Sequence, residues 1–260
     1  MIARPAGVTH QAASARSLHH FQAGCYHSLK GQPSCGSPAA KRIMIEAILW
    51  DLDGVLVDTA RLHYQAWRQL LGELDRSLSE QDFRRTFGLC NDLVLRDLLG
   101  EVPDEEVQRL SERKEALFRQ HAAGRVTPLP GAVELVQRAR ESGRRMALVT
   151  STPRANIDLV LGETGLTGAF DTIVAAEDVS RSKPDPEGFL LAARRLGVAA
   201  ERCLVIEDAP GGIEAARRAG MRSLAVTTTH TRQDLEAAHT IVDSLSEAAT
   251  LNLLEEPPSG

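Results

Sequence analysis

Positive charge is not in excess in this sequence: 30 Lys and Arg stand against 35 Asp and Glu, a net charge of −5. A general nucleic-acid binder would show a basic stripe, so no nucleic-acid partner is expected and small-molecule chemistry is the better reading. Cysteine is also sparse. Cys25, Cys35, Cys90 and Cys203 lie far apart without a CxxC spacing, which argues against a zinc site or a disulfide framework and points to reduced thiols in a cytoplasmic setting. No apolar run approaches the roughly 18 residues of a membrane span. The first 43 residues also lack the hydrophobic core of a secretory signal.

What residues 1–43 do contain is Ala, Ser, Gly and His in an irregular polar order, expected as a disordered extension. His10, His19, His20 and His27 match no defined metal spacing. Met44 stands just before the first strand-like run, so a chain starting at MIEAILWDLDG would carry the whole fold. A mis-assigned translation start is therefore the simpler account of the extension, with a transit peptide as the alternative. Residues 251–260, ending in EEPPSG, read as a frayed tail.

From Met44 onward, short apolar runs alternate with helical patterns. Ile45–Trp50, Arg145–Thr150, Thr172–Ala175, Cys203–Glu207 and Ser223–Val226 read as strands covered on both faces. Helices are predicted over Ala132–Ser142, Asn156–Thr164, Pro186–Leu196 and Gly212–Ala219, closed by Gly143, Gly165, Gly197 and Gly220. The pattern predicts an α/β fold with a mainly parallel sheet. Residues 61–126 interrupt it with helical segments alone: Arg61–Leu71, Ser79–Thr86, Asn91–Leu99 and Asp104–His121. The expected organisation is a core of residues 44–60 and 127–250 with an all-helical cap of residues 61–126 inserted near the end of the first strand. A cap hinged there would close over a site, exclude water and choose the substrate.

The run DLDGVLVDT at residues 51–59 places Asp51 and Asp53 directly after the first strand. Two acids at the carboxyl edge of a sheet lie where open α/β folds bind ligands, and they are costly unless a cation or a reaction needs them. Parallel strands would bring three further segments to the same edge: Thr150-Ser151, Lys183 within SRSKPDP, and Glu207-Asp208. This inventory suits phosphoryl transfer through an aspartyl phosphate. One carboxylate attacks phosphorus, a magnesium ion held by oxygen ligands offsets the negative charge, and Lys and hydroxyl donors hold the phosphoryl oxygens. Each residue alone has a plainer explanation: a strand-end turn for Asp51 and Asp53, a capping hydroxyl for Thr150, a solvated Lys183, and a helix cap for Glu207-Asp208. Their order and their positions at strand ends favour the shared site.

DLDGVLVDT, a strand ending in Thr-Ser, a Lys before Pro, and the acidic pair of EDAPGG together resemble the haloacid dehalogenase-like superfamily over about residues 44–230. The resemblance implies a Rossmann-like parallel sheet core with an inserted helical cap, as in phosphoglycolate phosphatases and β-phosphoglucomutases. By the same resemblance Asp51 is the nucleophile and Asp53 the acid/base, reaching magnesium through its backbone carbonyl. Thr150, Ser151 and Lys183 would bind the phosphoryl group. The metal set would be Asp51, Asp53, Glu207 and Asp208. Dehalogenases of the superfamily lack the second Asp, which argues against carbon–halogen cleavage here.

The stretch DTARLHYQAW resembles β-phosphoglucomutase in particular, adding Thr59 and His63 to the candidate substrate contacts. His63 and Trp67 would equally form an i, i+4 packing pair. Against the mutase, Asn91 stands where that relative carries a phosphate-binding Arg, with Arg154 and Arg84 or Arg85 as candidate replacements. The expected function is a magnesium-dependent phosphatase of a small phosphorylated metabolite, of the sugar phosphate or phosphoglycolate type. A phosphosugar mutase and a catalytically silent binding module are the alternatives. A monomer or weak homodimer without membrane contact is expected.

Overall fold

The computed structural model describes residues 44–248. The extension of residues 1–43 and the tail of residues 251–260 lie outside the described residues. The core is a six-stranded sheet in the order β3-β2-β1-β4-β5-β6, formed by β1 (Ala47–Trp50), β2 (Arg145–Val149), β3 (Thr172–Val174), β4 (Cys203–Glu207), β5 (Arg222–Val226) and β6 (Thr240–Val242). Every pairing is parallel. The fold is therefore Rossmann-like, with β1 central between β2 and β4. β6 was not among the expected strands. Its three residues, Thr-Ile-Val, are the same as those of β3, which was expected.

Strand alternation sorts the core into two layers. Ile48 and Trp50 of β1, Met146 and Leu148 of β2, and Leu204 and Ile206 of β4 join the larger cluster. This cluster also holds Leu135 and Val136 of α5 (Ala132–Glu141) and Ile157 and Val160 of α6 (Arg154–Thr164). On the opposite face, Ala47, Leu49, Ala147, Val149 and Val205 meet Phe189 and Ala192 of α7 (Glu187–Leu196) and Ala215 and Ala216 of α8 (Pro210–Arg218). Burial on both faces explains why β1 reads as continuous apolar sequence, AILW, rather than as alternation.

Between β1 and β2 lie α1 (Ala60–Glu73), α2 (Glu80–Thr86), α3 (Asn91–Leu99) and α4 (Asp104–Ala122). Their apolar stripes, including Leu62, Ala66 and Leu70 of α1 and Leu110, Leu117 and Phe118 of α4, continue the larger cluster. Ser79 caps α2 by accepting the Asp82 backbone N–H at 3.0 Å. The glycine stops expected from sequence occur at Gly165 and Gly197, both in left-handed cap geometry. Two helices start two residues earlier than expected, α6 just after its N-cap Pro153 and α8 at Pro210. Pro210 suits the first helical position because its missing N–H would have had no helical partner there. Among the described residues no helix is long and apolar enough to cross a membrane.

Candidate active site

The carboxyl ends of β1, β2 and β4 open into one cavity of about 310 Å³, walled on the other side by residues of α1, α2, α3 and α4. Asp51 follows β1 directly and is fixed by its backbone N–H, which donates to Ile206 O at 3.0 Å. Lys183 Nζ donates to Asp51 Oδ1 at 2.5 Å, to Glu207 Oε1 at 2.6 Å and to Val149 O at 3.2 Å. All three ammonium hydrogens are thus used, and the two carboxylates hold the Lys183 pKa above its usual value although burial opposes this. Asp51 behaves in the opposite sense. Burial, with repulsion from Glu207 and Asp53, pushes its carboxyl up to about 7 against the pull of Lys183.

Asp53, two residues on, has a different environment. Its Oδ2 accepts the Thr152 hydroxyl at 2.6 Å, its Oδ1 accepts the Thr59 hydroxyl, and His63 Nε2 lies 3.6 Å from Oδ1. Burial alone would raise this carboxyl, but the His63, Thr152 and Thr59 contacts hold it below the ordinary carboxylate range. Thr59 is the N-cap of α1, yet its hydroxyl serves Asp53 and makes no capping bond. Two neighbouring acids therefore carry separated proton affinities, Asp51 raised and Asp53 lowered.

Asp208 is buried at the end of β4, and its Oδ2 accepts the Thr229 hydroxyl. Burial and repulsion from Glu207 and Asp51 raise its pKa. Two glycines allow this crowding. A Cβ on Gly54, whose φ is +82°, would lie 2.1 Å from Asp208 Oδ2, and one on Gly212 would lie 1.8 Å from Glu207 Oε1. Gly212→Ala should displace Glu207 and with it Lys183. We expect overpacking to lower stability by about 1–3 kcal/mol and turnover to fall with it; thermal melts and initial rates check this.

Among the described residues no three His, Cys, Asp or Glu side chains are grouped as a ready metal cage. The donors still fit magnesium, which is held by one or two carboxylates and keeps much of its water. Asp51 and Asp208 are hard oxygen donors, and burial raises the proton affinity of both. Glu207 is placed differently from the sequence expectation of a metal ligand. Its Oε1 is taken by Lys183, and its Oε2 accepts the backbone N–H groups of Asp208 and Ala209 at 2.9 and 3.0 Å. It braces the site. The Asp53 carboxylate is likewise committed to Thr152, Thr59 and His63.

Of the other expected residues, Thr150 and Ser151 line the cavity at the end of β2. The Thr150 hydroxyl donates to Thr152 Oγ1 at 3.1 Å, so part of its capacity is relayed to Asp53. His63 lies on the α1 wall, stacked on Phe118 at 4.1 Å, with Nδ1 2.9 Å from Lys114 Nζ. Asn91 and Arg85 line the cavity as well. Arg154 does not belong with them. Its guanidinium donates to Asp178 Oδ2 at 2.8 Å and to Ile173 O at 3.4 Å, outside the residues that line the cavity. Arg84 is also turned away, paired with Glu80 on the exposed face of α2.

Sequence reasoning missed Thr152, Lys114, Glu115, Thr229 and His230, all of which line the cavity. Thr152 and Thr229 carried a signal, because both lie in hydroxyl-rich runs just beyond strands, TST after β2 and TTTH after β5. Lys114 and Glu115 carried none. They sit mid-helix in charged sequence, SERKEA, that reads as a solvated face, yet both are buried.

The haloacid dehalogenase-like hydrolase family matches residues 45–220 of the chain. Protein CbbY of Rhodobacter capsulatus is 35% identical over 225 residues, 82% of this chain and 99% of the relative. Fructose-1-phosphate phosphatase YqaB of Escherichia coli is 34% identical over 180 residues, 69% and 95% of the two chains. Among solved structures, CbbY of Rhodobacter sphaeroides in complex with xylulose-(1,5)bisphosphate superposes with a TM-score of 0.75 at 27% identity, covering 81% of this chain and 99% of that one.

Proposed function

The chain belongs to the haloacid dehalogenase-like hydrolase family and is a phosphohydrolase, and on that premise we propose that it hydrolyses a small sugar phosphate through a phosphoryl group carried on Asp51, with magnesium bound. The observation that carries this reading is the pairing of Asp51 with Lys183 at 2.5 Å in one cavity that Asp53 and Asp208 also line. The relatives bracket the substrate: one is named for a monophosphate and another was crystallised with a bisphosphate.

Asp51 supplies the attacking oxygen, and Lys183 with the Thr150 and Ser151 hydroxyls orients the phosphoryl oxygens. Asp51, Asp208 and the Asp53 carbonyl would hold magnesium, which supplies positive charge for the phosphoryl oxygens when bound. Asp53, kept in place by Thr59 and Thr152, acts as the acid toward the departing sugar oxygen once it has taken up a proton, and its lowered proton affinity leaves it ionised afterwards as the base toward water. The proposed cap is formed by α1 to α4, whose side chains cover the reacting group and limit entry of water.

Trapping tests the covalent step. Acid quench during turnover should leave a phosphoryl adduct on the peptide containing Asp51, and steady turnover without that adduct would sink the proposal. Metal uptake should also depend on pH. Because Asp51 is raised to about 7 and Asp208 is raised too, protons compete with the cation below that range. Without magnesium, the raised Asp51 carboxyl contributes stability that is fully present below its unfolded value and lost as pH rises through about 7. Magnesium should therefore raise the melting temperature more on the alkaline side of about pH 7 than on the acid side, as thermal melts with and without the ion would show.

A further inference from the structure

Glu115 is a cavity-lining carboxylate for which the hydrolytic chemistry has no use. It is 7% exposed on α4. Its Oε1 accepts Lys114 Nζ and Asn91 Nδ2, both at 2.8 Å, and its Oε2 accepts Asn156 Nδ2 at 2.5 Å. Asn156 is in turn held by Arg119, which donates to its Oδ1 at 2.8 Å. Three donors converge on two oxygens, an arrangement only an ionised carboxylate satisfies, since a glutamine would turn an N–H toward one of them. Burying a carboxylate is costly. It persists here because it neutralises Lys114, which otherwise stands one imidazole ring away from Asp53: Lys114 Nζ contacts His63 Nδ1, and His63 Nε2 faces Asp53.

Elsewhere on the wall, positive charge is neutralised in the same way. Among the described residues three Lys or Arg side chains line the cavity: Arg85, Lys114 and Lys183. Lys183 is shared by Asp51 and Glu207, Lys114 is paired with Glu115, and Arg85 is paired with Asp97 at 2.6 Å and Asp82 at 3.2 Å. The two lining histidines have their Nδ1 atoms engaged, His63 with Lys114 and His230 with Thr229. Between α2 and α3 the wall is Phe87, Gly88, Leu89 and Cys90, an uncharged loop in which Leu89 is 45% exposed. One phosphate finds Lys183 and the proposed magnesium at the strand ends. A second, away from magnesium, would meet only Lys114 and Arg85, each already paired with carboxylates, and would have to approach Glu115.

Resting on the phosphatase reading, we infer that the substrate is an ester with a single phosphate and an uncharged organic part, and that Glu115 imposes this choice by neutralising Lys114. The residue acts as a repulsive element against bisphosphates, which is specificity obtained by disfavouring the wrong ligand. Its uncharged partner surface, Phe87 and Leu89, takes the body of the substrate.

Matched pairs test this: fructose 1-phosphate against fructose 1,6-bisphosphate, and ribulose 5-phosphate against ribulose 1,5-bisphosphate. Phosphate release by the wild type gives kcat/KM, and calorimetry on magnesium-loaded Asp51→Asn protein gives affinity without turnover. The member with one phosphate should be preferred by at least about tenfold in both measurements, and Glu115→Gln should reduce that preference by at least about tenfold through KM for the bisphosphate. Equal or tighter binding of the bisphosphates by protein that retains Glu115 would overturn the inference. So would a preference unchanged in a Glu115→Gln variant with wild-type circular dichroism and melting. If that variant does not fold, the preference of the wild type and of Asp51→Asn decides the matter. Absence of phosphate release from every ester, with the binding preference intact, would defeat the hydrolytic reading and leave the inferred ligand class standing.

Discussion

Asp51→Asn is expected to lower magnesium-dependent phosphate release by roughly four orders of magnitude or more, because it removes the atom that bonds to phosphorus and leaves only binding and charge stabilisation. The amide matches the carboxylate in size, so the loss should not come from unfolding. In the metal-free protein Asp51 is itself a strained group, pushed up to about 7 by burial and by Glu207 and Asp53. Replacing it relieves that repulsion. Lys183 keeps Glu207 at 2.6 Å and the Val149 carbonyl at 3.2 Å, so the ammonium is not left without partners. We therefore expect a melting temperature at or above that of the wild type near pH 8, where the native carboxyl would be charged. Activity surviving in the folded variant would remove Asp51 as nucleophile.

How this site was legible in sequence follows from parallel-sheet geometry. Asp51, Thr150 and Asp208 each come just after an apolar strand, and adjacent parallel strands bring those ends together whatever the loops between them do. Lys183 is not at a strand end, and its family motif placed it. The opposite wall was opaque for a related reason. Helix α4 presents Lys114 and Glu115 inward, but charged residues on a helix ordinarily mark its solvent face. Only the fold shows that His63, Asn91 and Asn156 satisfy them there. Arg154 failed in the converse way. It was a candidate replacement for the phosphate-binding Arg of β-phosphoglucomutase, but Asp178, 24 residues on, claims it.

Asp53→Asn should separate the two halves of the reaction. With a sugar phosphate the departing alkoxide needs a proton, so losing the acid is expected to lower turnover by about two to four orders of magnitude. With p-nitrophenyl phosphate the leaving group departs without one, and phosphorylation of Asp51 should proceed nearly unimpaired. The second half still needs a base to activate water. The variant should then give a burst of nitrophenol of about one equivalent per protein, a stalled steady state, and a phosphoryl adduct accumulating on the Asp51 peptide. The structure favours this separation over collapse of the site. The substituted side chain would leave the backbone carbonyl in place and keep one oxygen to accept from Thr59 or Thr152, whose hydroxyls now serve the two oxygens of the Asp53 carboxylate. Asp51→Asn should give no burst with the same reagent. A variant at position 53 that lost the burst along with turnover would place that side chain in the first step for every leaving group, and the division of labour between the two aspartates would have to be abandoned.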